Sequence, residues 1–423
     1  MTTPVAPRGL DPDAVRAQFP ALQREHAGLP VAYLDGPGGT QVPAECIDAI
    51  SGHLAAGGAN THGAFDASHE TDLLVAEAHA ATADFLGAHE PEEIVFGPNM
   101  TTLTLSVSRA LGRDLQPGDE VVVTRLDHDA NVAPWLAVAE DRGAVVRWVD
   151  IHEADCTLDL AGLEDVLSER TRIVAVGLAS NAVGTVNDVG RVVELAHAAG
   201  AVAYVDAVHA APHLPIDVAA LRADFVVCSP YKFFGPHLGA LYGRRDHLER
   251  LAAYRVRPAG DELPGKWETG TQTHELLAGL LGTYRYLEAL GRAYGRADRE
   301  AGRRSALQAA MVAIHEYERA LVGPLLDGLS SIPGVRIRGI TDADRGAERV
   351  PTVAFTLDGH HPRAVAEHLG SRGISAWDGD YYAYELIRRL GLDDSGGMVR
   401  VGLVHYNTMA EVERLVDAVA ALV

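Results

Sequence analysis

The chain has 423 residues, which at about 100–200 residues per domain suggests two or three domains. Hydrophobic residues make up 47% and charged residues 22%, the balance of a folded globular chain rather than a disordered one. Acidic residues outnumber basic ones by 58 to 36, and the net charge of −22 argues against nucleic acid or an anionic membrane as partner, since both need a basic surface.

The start, "MTTPVAPRGLDPDAV", lacks the basic patch and apolar run of a signal peptide. No stretch approaches the ~20 apolar residues of a membrane helix. Helical patterning covers "DAVRAQFPAL" (13–22), and residues 1–30 are expected to pack as a segment on the body. The glycine-rich "YLDGPGGTQVP" (33–43) fits neither a Walker loop nor a dinucleotide fingerprint; it reads as a tight turn that shapes the substrate mouth. From about 90 to 243, short apolar runs alternate with helical patterns. "EVVVTRL" (120–126), "VVRWVD" (145–150), "RIVAVGLAS" (172–180), "AVAYVDA" (201–207), "DFVVCS" (224–229) and "LGALYG" (238–243) read as strands. "NVAPWLAVAEDRGA" (131–144) and "GRVVELAHAAG" (190–200) read as helices. This alternation implies an α/β fold with a mainly parallel sheet covered by helices on both faces, its ligands beyond the carboxyl ends of the strands. After "GTQTHELLAGLLGTYRYLEALG" (270–291) come long helices, then a smaller α+β region: "VRIRGI" (335–340), "VPTVAFTL" (350–357), "PRAVAEHLGSRG" (362–373), "MVRVGLV" (398–404) and a helix from Met409. The expected division is a large domain over 31–290 and a small C-terminal domain over 291–423.

Cys46, Cys156 and Cys228 are far apart with no CxxC pair, and no histidine spacing matches HExxH. A disulfide framework or metal site is therefore not expected, and a reducing cytoplasm is the simplest location.

Two residues raise the chemistry. Asp206 ends one predicted strand, and Lys232, in "VCSPYKFFGP" (227–236), lies just past another, between aromatic neighbours. An amine that reacts with an aldehyde and a carboxylate that keeps a pyridine nitrogen protonated are what pyridoxal phosphate requires. Desolvation lowers a lysine pKa and frees its lone pair. The plain alternative is a snorkelling lysine and an ordinary strand-end aspartate. In "FGPNMTTLTL" (96–105), Asn99 can cap a helix whose Met100 and Thr101 N–H groups, with the Thr101 hydroxyl, can hold phosphate; a purely structural cap has the same signature. "LDHDANVAPW" (126–135) places His128 after a strand, either stacked on a flat ring or simply at the surface. "SNAVGT" (180–185) offers Asn181 after another.

Taken in order, "LDHDANVAPW", "SNAVGT", "YVDAVHA", "SPYKFFGP" and "WETGTQ" resemble the class V aminotransferase group of pyridoxal-phosphate enzymes (fold type I), which includes cysteine desulfurases, selenocysteine lyases, isopenicillin N epimerase and kynureninase. The likeness runs over nearly the whole chain and is nearest the desulfurase and selenocysteine lyase branch. It implies that Lys232 binds the cofactor covalently and moves the Cα proton, that Asp206 pairs with the pyridine nitrogen, and that His128 stacks on the ring. His209 takes the place of a usual glutamine near the phenolic oxygen, and Asn181 sits near that oxygen and the substrate. Ser229, Thr101 and Met100 hold the phosphate. Tyr231 stands where desulfurases carry a histidine. Thr271 would reach the partner subunit's phosphate, which implies a homodimer with shared sites. Arg400, in "MVRVGL", would grip the substrate α-carboxylate.

The likeness breaks at "GISAWDGDYYAYELIRRLGL" (373–392), where desulfurases carry the mobile-loop cysteine that becomes a persulfide. No cysteine is present; Tyr382 stands near its position and Trp377 where an arginine is common. "GANTHGAF" (58–65) also lacks an arginine often found there. Trp377, Tyr381, Tyr382 and Tyr384 form either a lid or a packed loop. Cys228 lies in a predicted buried strand, which suits packing better than sulfur transfer. Since β-elimination needs no thiol nucleophile, the expected activity is a C–S lyase acting on cysteine or a cysteine S-conjugate. The alternatives are cysteine desulfurase or selenocysteine lyase, then aminotransferase, epimerase or decarboxylase chemistry on a specialised amino acid. A non-catalytic homologue is the remaining reading, disfavoured because Lys232 and Asp206 are both kept.

Overall fold

The computed structural model describes residues 9–295 and 300–423; the first eight residues of the expected N-terminal segment lie outside the described residues. Seven strands form the larger sheet: β1 (Ile94–Gly97), β2 (Glu120–Thr124), β3 (Val145–Val149), β4 (Thr171–Gly177), β5 (Val202–Asp206), β6 (Phe225–Cys228) and β7 (Gly239–Gly243). Their order is β1-β7-β6-β5-β4-β2-β3. Only β7 runs against its neighbours, pairing antiparallel with β6 and β1. Strands β2, β6 and β7 are buried at every position, which is why they read as unbroken apolar runs. Alternate side chains still part to opposite faces: Val121 and Val123 join one core with Trp135, Phe225 and Leu241, while Val122, Val174 and Val205 join the other.

Helices α1 (Ala44–Ala56), α2 (Asp66–Leu86), α3 (Met100–Gly112), α4 (Ala133–Arg142), α5 (Val189–Ala198) and α6 (His274–Tyr294) belong to this part of the chain. The sequence reading named no element over α1 and α2. A 28-residue helix, α7 (Arg303–Ser330), leads to a second sheet. It comprises β8 (Val335–Arg338), β9 (Thr352–Leu357), β10 (Trp377–Gly379) and β11 (Met398–Gly402), antiparallel in the order β8-β9-β11-β10. Helices α8 (Pro362–Gly370) and α9 (Met409–Ala420) cover it. Ala32 and Leu34 pack into the core of this second sheet with Val353, Phe355 and Val401. Among the described residues, no helix is long and apolar enough to cross a membrane.

Two local expectations need correction. The helix over 13–22 is broken: an α-turn over Pro12–Arg16 is followed by a 3-10 turn, Pro20–Gln23, because Pro20 has no N–H to continue the ladder. The segment 373–392, read as a loop, contains β10 and a helix over Tyr384–Arg389. Its Ile374–Ser375 also pairs in parallel with Ala32–Tyr33, a long-range partner that no local pattern announces.

Candidate active site

Strands β6, β5, β4 and β2 are parallel neighbours, so their carboxyl ends open on one side. The turns that follow them, with the start of α3, wall a pocket. Its lining is Met100, Thr101, Asp127, His128, Gly177, Ala179, Asn181, Asp206, Val208, His209, Tyr231 and Lys232.

Lys232 ends the turn Pro230–Lys232 just past β6. Its Nζ donates to the Pro37 carbonyl and lies 5.0 Å from the Tyr231 ring centre. Burial, aided by the Arg400 charge and opposed by Asp206, pulls its pKa down to about 7. A substantial fraction of the amine is thus free of its proton at neutral pH, unlike an ordinary lysine. Asp206, buried at the end of β5, accepts a 2.8 Å hydrogen bond from the Val208 N–H. Burial raises its carboxyl to about 6, against the pull of Lys232.

Asp127 is a pocket residue that the sequence reading quoted but did not single out. Its carboxylate accepts from the Gly177 N–H (2.8 Å) and from Asn131 Nδ2 (2.9 Å), tying the β4 end to the turn after β2. Burial and then the neighbouring Asp206 charge push it up to about 7. Beside it, His128 Nδ1 accepts from the Ala130 N–H (3.0 Å). Burial, then Lys232 and Arg400, lowers the His128 pKa to about 4, so its imidazole is neutral. The Tyr382 ring stacks on it, centroids 5.5 Å apart and 22° from parallel.

At the other end, Asn99 caps α3 through the Thr102 N–H (2.9 Å), and the Met100 N–H donates to Ser229 Oγ at 3.2 Å. Helix N-termini of this kind hold anions. Arg400, on β11, is buried and donates from Nη1 to the Asn181 carbonyl (2.7 Å), and its Nε has no partner among the described residues. Its guanidinium carbon lies 4.2 Å from the Tyr381 ring centre. Asn181 Nδ2 donates to the Tyr381 carbonyl (2.9 Å), while its buried Oδ1 has no partner among the described residues. His209 reaches Thr352 Oγ1 at 2.9 Å.

Most of the expected residues therefore converge. Trp377 does not line this pocket: it lies on β10, 49% exposed, in a separate surface cleft with Asp35 and Arg363. Tyr382 is 71% exposed and reaches the site by its stack on His128. Thr271 is exposed and does not line this pocket. The four aromatic residues of the loop divide accordingly, since Tyr381 alone is buried, its hydroxyl donating to the Met398 carbonyl. Sequence reasoning missed Asp127, Pro37 and Thr352. Only Asp127, one residue before His128 in a quoted motif, carried a local signal.

The side chains fit pyridoxal phosphate: a buried amine whose pKa is lowered to about 7, a buried carboxylate, a helix N-terminus with serine and threonine hydroxyls, and an arginine and an asparagine with buried polar atoms that have no partner among the described residues. The family described as aminotransferase class-V matches residues 32–415. The chain belongs to this family. Pyridoxal phosphate, expected from the sequence, is the cofactor of class V enzymes. A protein from Streptomyces coelicolor named probable cysteine desulfurase is 32% identical over 430 residues, covering 96% of both chains. Another from Mycobacterium leprae, probable cysteine desulfurase 1, is 34% identical over 424 residues; the match takes in 97% of this chain but 65% of that longer protein. Among solved structures, the apo cysteine desulfurase of Thermococcus onnurineus NA1 superposes with a TM-score of 0.85 at 26% identity, covering 99% of each chain. The class V fold expected from the sequence, a large mainly parallel sheet with helices and a smaller α+β part, is the one observed.

Proposed function

We propose that this protein is a pyridoxal-phosphate enzyme that opens the carbon–sulfur bond of cysteine or a close analogue. The observation that carries it is the buried Lys232 amine, which shares one pocket with the Asp206 carboxyl and whose pKa is lowered to about 7 by burial and then by the Arg400 charge, against Asp206. When bound, the cofactor supplies an electron sink for the substrate Cα. Lys232 would take and return the Cα proton, and Asp206 would keep a positive charge on the ring nitrogen. Arg400 and Asn181 hold the substrate carboxylate. Ser229, Thr101 and the Met100 N–H would hold the phosphate, and His128, neutral, would hold the ring.

The names of the relatives favour the desulfurase alternative over elimination from an S-conjugate. Desulfuration converts cysteine and a thiol into alanine and a persulfide. One observation favours elimination, which converts cysteine and water into pyruvate, ammonia and sulfide. Cys46, Cys156 and Cys228 are all buried, and burial raises each thiol pKa. Under the desulfurase reading, the accepting thiol therefore comes from outside the chain. We further propose a homodimer in which Thr271 approaches the partner's phosphate site, a cytoplasmic location, no nucleic-acid partner, and a division into units of 31–290 and 291–423.

The test incubates the holoenzyme with cysteine, selenocysteine and S-conjugates, with and without added thiol, and measures alanine, persulfide, pyruvate and sulfide. Alanine with persulfide supports desulfuration, and pyruvate with sulfide supports elimination. Turnover of sulfur-free amino acids alone would overturn both. Lys232→Ala should abolish turnover and the borohydride-fixed cofactor.

A further inference from the structure

Two aromatic residues beside the pocket stand in a backbone conformation that side chains of their size rarely take. Tyr381 and Tyr382 have φ of +56° and +58°, the left-handed region in which a Cβ crowds its own backbone. The turn is held there from several sides. Asp380 Oδ1 accepts from the Tyr382 N–H (2.9 Å), and the Asp380 carbonyl accepts from the Ala383 N–H (2.8 Å). The Tyr382 carbonyl accepts from the Asp129 N–H (2.7 Å), in the turn after β2 that also carries His128. Strain maintained in this way marks a place where position outweighs stability.

What the strained turn places is Tyr381. Its side chain is buried, and its hydroxyl is anchored on the Met398 carbonyl of β11. Its ring lies against the guanidinium of Arg400, two residues further along that strand, with the guanidinium carbon 4.2 Å from the ring centre. Its own carbonyl takes one hydrogen of the Asn181 amide at 2.9 Å. Arg400 and Asn181, the two groups assigned above to the substrate carboxylate, therefore both rest on this one residue. Arg400 is buried and bonds a carbonyl, not a carboxylate. A guanidinium is a flat fork, and it meets a carboxylate with two parallel hydrogen bonds only when its tilt is set beforehand. The Tyr381 ring restricts that tilt, and the Asn181 carbonyl at Nη1 restricts its rotation. An aliphatic side chain could fill the same volume and would leave the fork freer to turn.

We propose that Tyr381 is a positioning residue for carboxylate recognition: its ring and its carbonyl hold Arg400 and Asn181 in the arrangement that receives an α-carboxylate, so that the chain selects amino acids over simple amines. This rests on the cofactor reading above, and it is independent of which substrate bond is opened.

The experiment uses two ligands. Alanine and ethylamine carry the same amine and differ by the carboxylate alone. Each is titrated into the holoenzyme, and the change in the visible band gives its affinity. The wild type should bind alanine about tenfold or more tighter than ethylamine. Tyr381→Leu should weaken alanine about tenfold and leave ethylamine within about twofold of its wild-type value. Tyr381→Phe, which keeps the ring and the backbone carbonyl, should keep most of the preference for alanine. If Tyr381→Leu does not fold, Tyr381→Met is read in the same way. Equal losses for the two ligands, an unchanged alanine affinity, or a phenylalanine variant as weak as the leucine one overturns the proposal. A wild type that binds the two ligands alike overturns it as well, since Arg400 then receives no carboxylate. A wild type that develops no visible band with added pyridoxal phosphate overturns the cofactor reading and this proposal with it.

Discussion

The Pro37 carbonyl accepts a hydrogen bond from Nζ of Lys232, 195 residues further along the chain. The glycine-rich run that sequence reasoning read as a tight turn is thus laid over the amine. Its glycines permit the approach. Gly39 has φ +150°, and a methyl there would come within 3.2 Å of the Tyr231 ring; one on Gly38 would overlap Trp377 Nε1.

Gly38→Ala should therefore push the indole off the loop or the loop off Lys232. We expect a shift in tryptophan emission and a fall in kcat/KM of about tenfold to a hundredfold, with cofactor content unchanged. Full activity with an unmoved indole would count against this packing.

The buried charges predict a pH signature for the apo protein. Asp206 and Asp127 have folded pKa values raised to about 6 and 7, so the folded chain holds protons that the unfolded chain releases above about 4. Their stabilising contribution is full below that pH and is lost as pH rises through 6 to 7. Lys232 is lowered to about 7, so between about 7 and 10.5 the unfolded chain binds more protons, and stability rises with pH. The summed contribution is lowest near pH 7. Urea midpoints at pH 5, 7 and 9 should show this dip in the apo wild type and a shallower one in an Asp206→Asn, Lys232→Met double variant.

The thiols give a chemical check. With all three cysteines buried, iodoacetamide should leave the native protein unlabelled and its turnover unaffected, and should label three sites only after denaturation. Loss of activity on native labelling of any one would show a reactive thiol that the structure does not provide.

Gly184 predicts a stability effect at the seam between the sheets. It has φ +79°, and an added Cβ would lie 2.6 Å from the Thr352 carbonyl oxygen and 2.8 Å from that of Val350. Left-handed backbone strain and a backbone clash together should cost about 2–4 kcal/mol in Gly184→Ala, read from denaturant midpoints. Gly200→Ala, also at positive φ but with open space around the new methyl, should cost less.

The residues that were legible in the sequence share one property: their surroundings are local. Strand β6 and the turn carrying Lys232 follow directly from four apolar residues and a proline, and Asp206 from the end of an apolar run. Asn99 announced its own helix. What stayed hidden depends on distant partners. Pro37 meets Lys232 only once the second sheet is in place. Trp377 reads as loop until Arg400 pairs with it across β10 and β11. Asn181 and the Tyr381 carbonyl join positions 200 residues apart. Asp127 was visible but ordinary, because nothing in its neighbours reveals that Gly177 and Asp206 crowd it.

The pocket takes Asp206 and Lys232 from beside one sheet, while from the other Arg400 holds the carbonyl of the pocket residue Asn181 and Thr352 grips His209. A molecule bound there works as a clasp between two halves, so its binding free energy accrues to both together. Saturating cofactor should move melting to a higher temperature, and removing it should lower it.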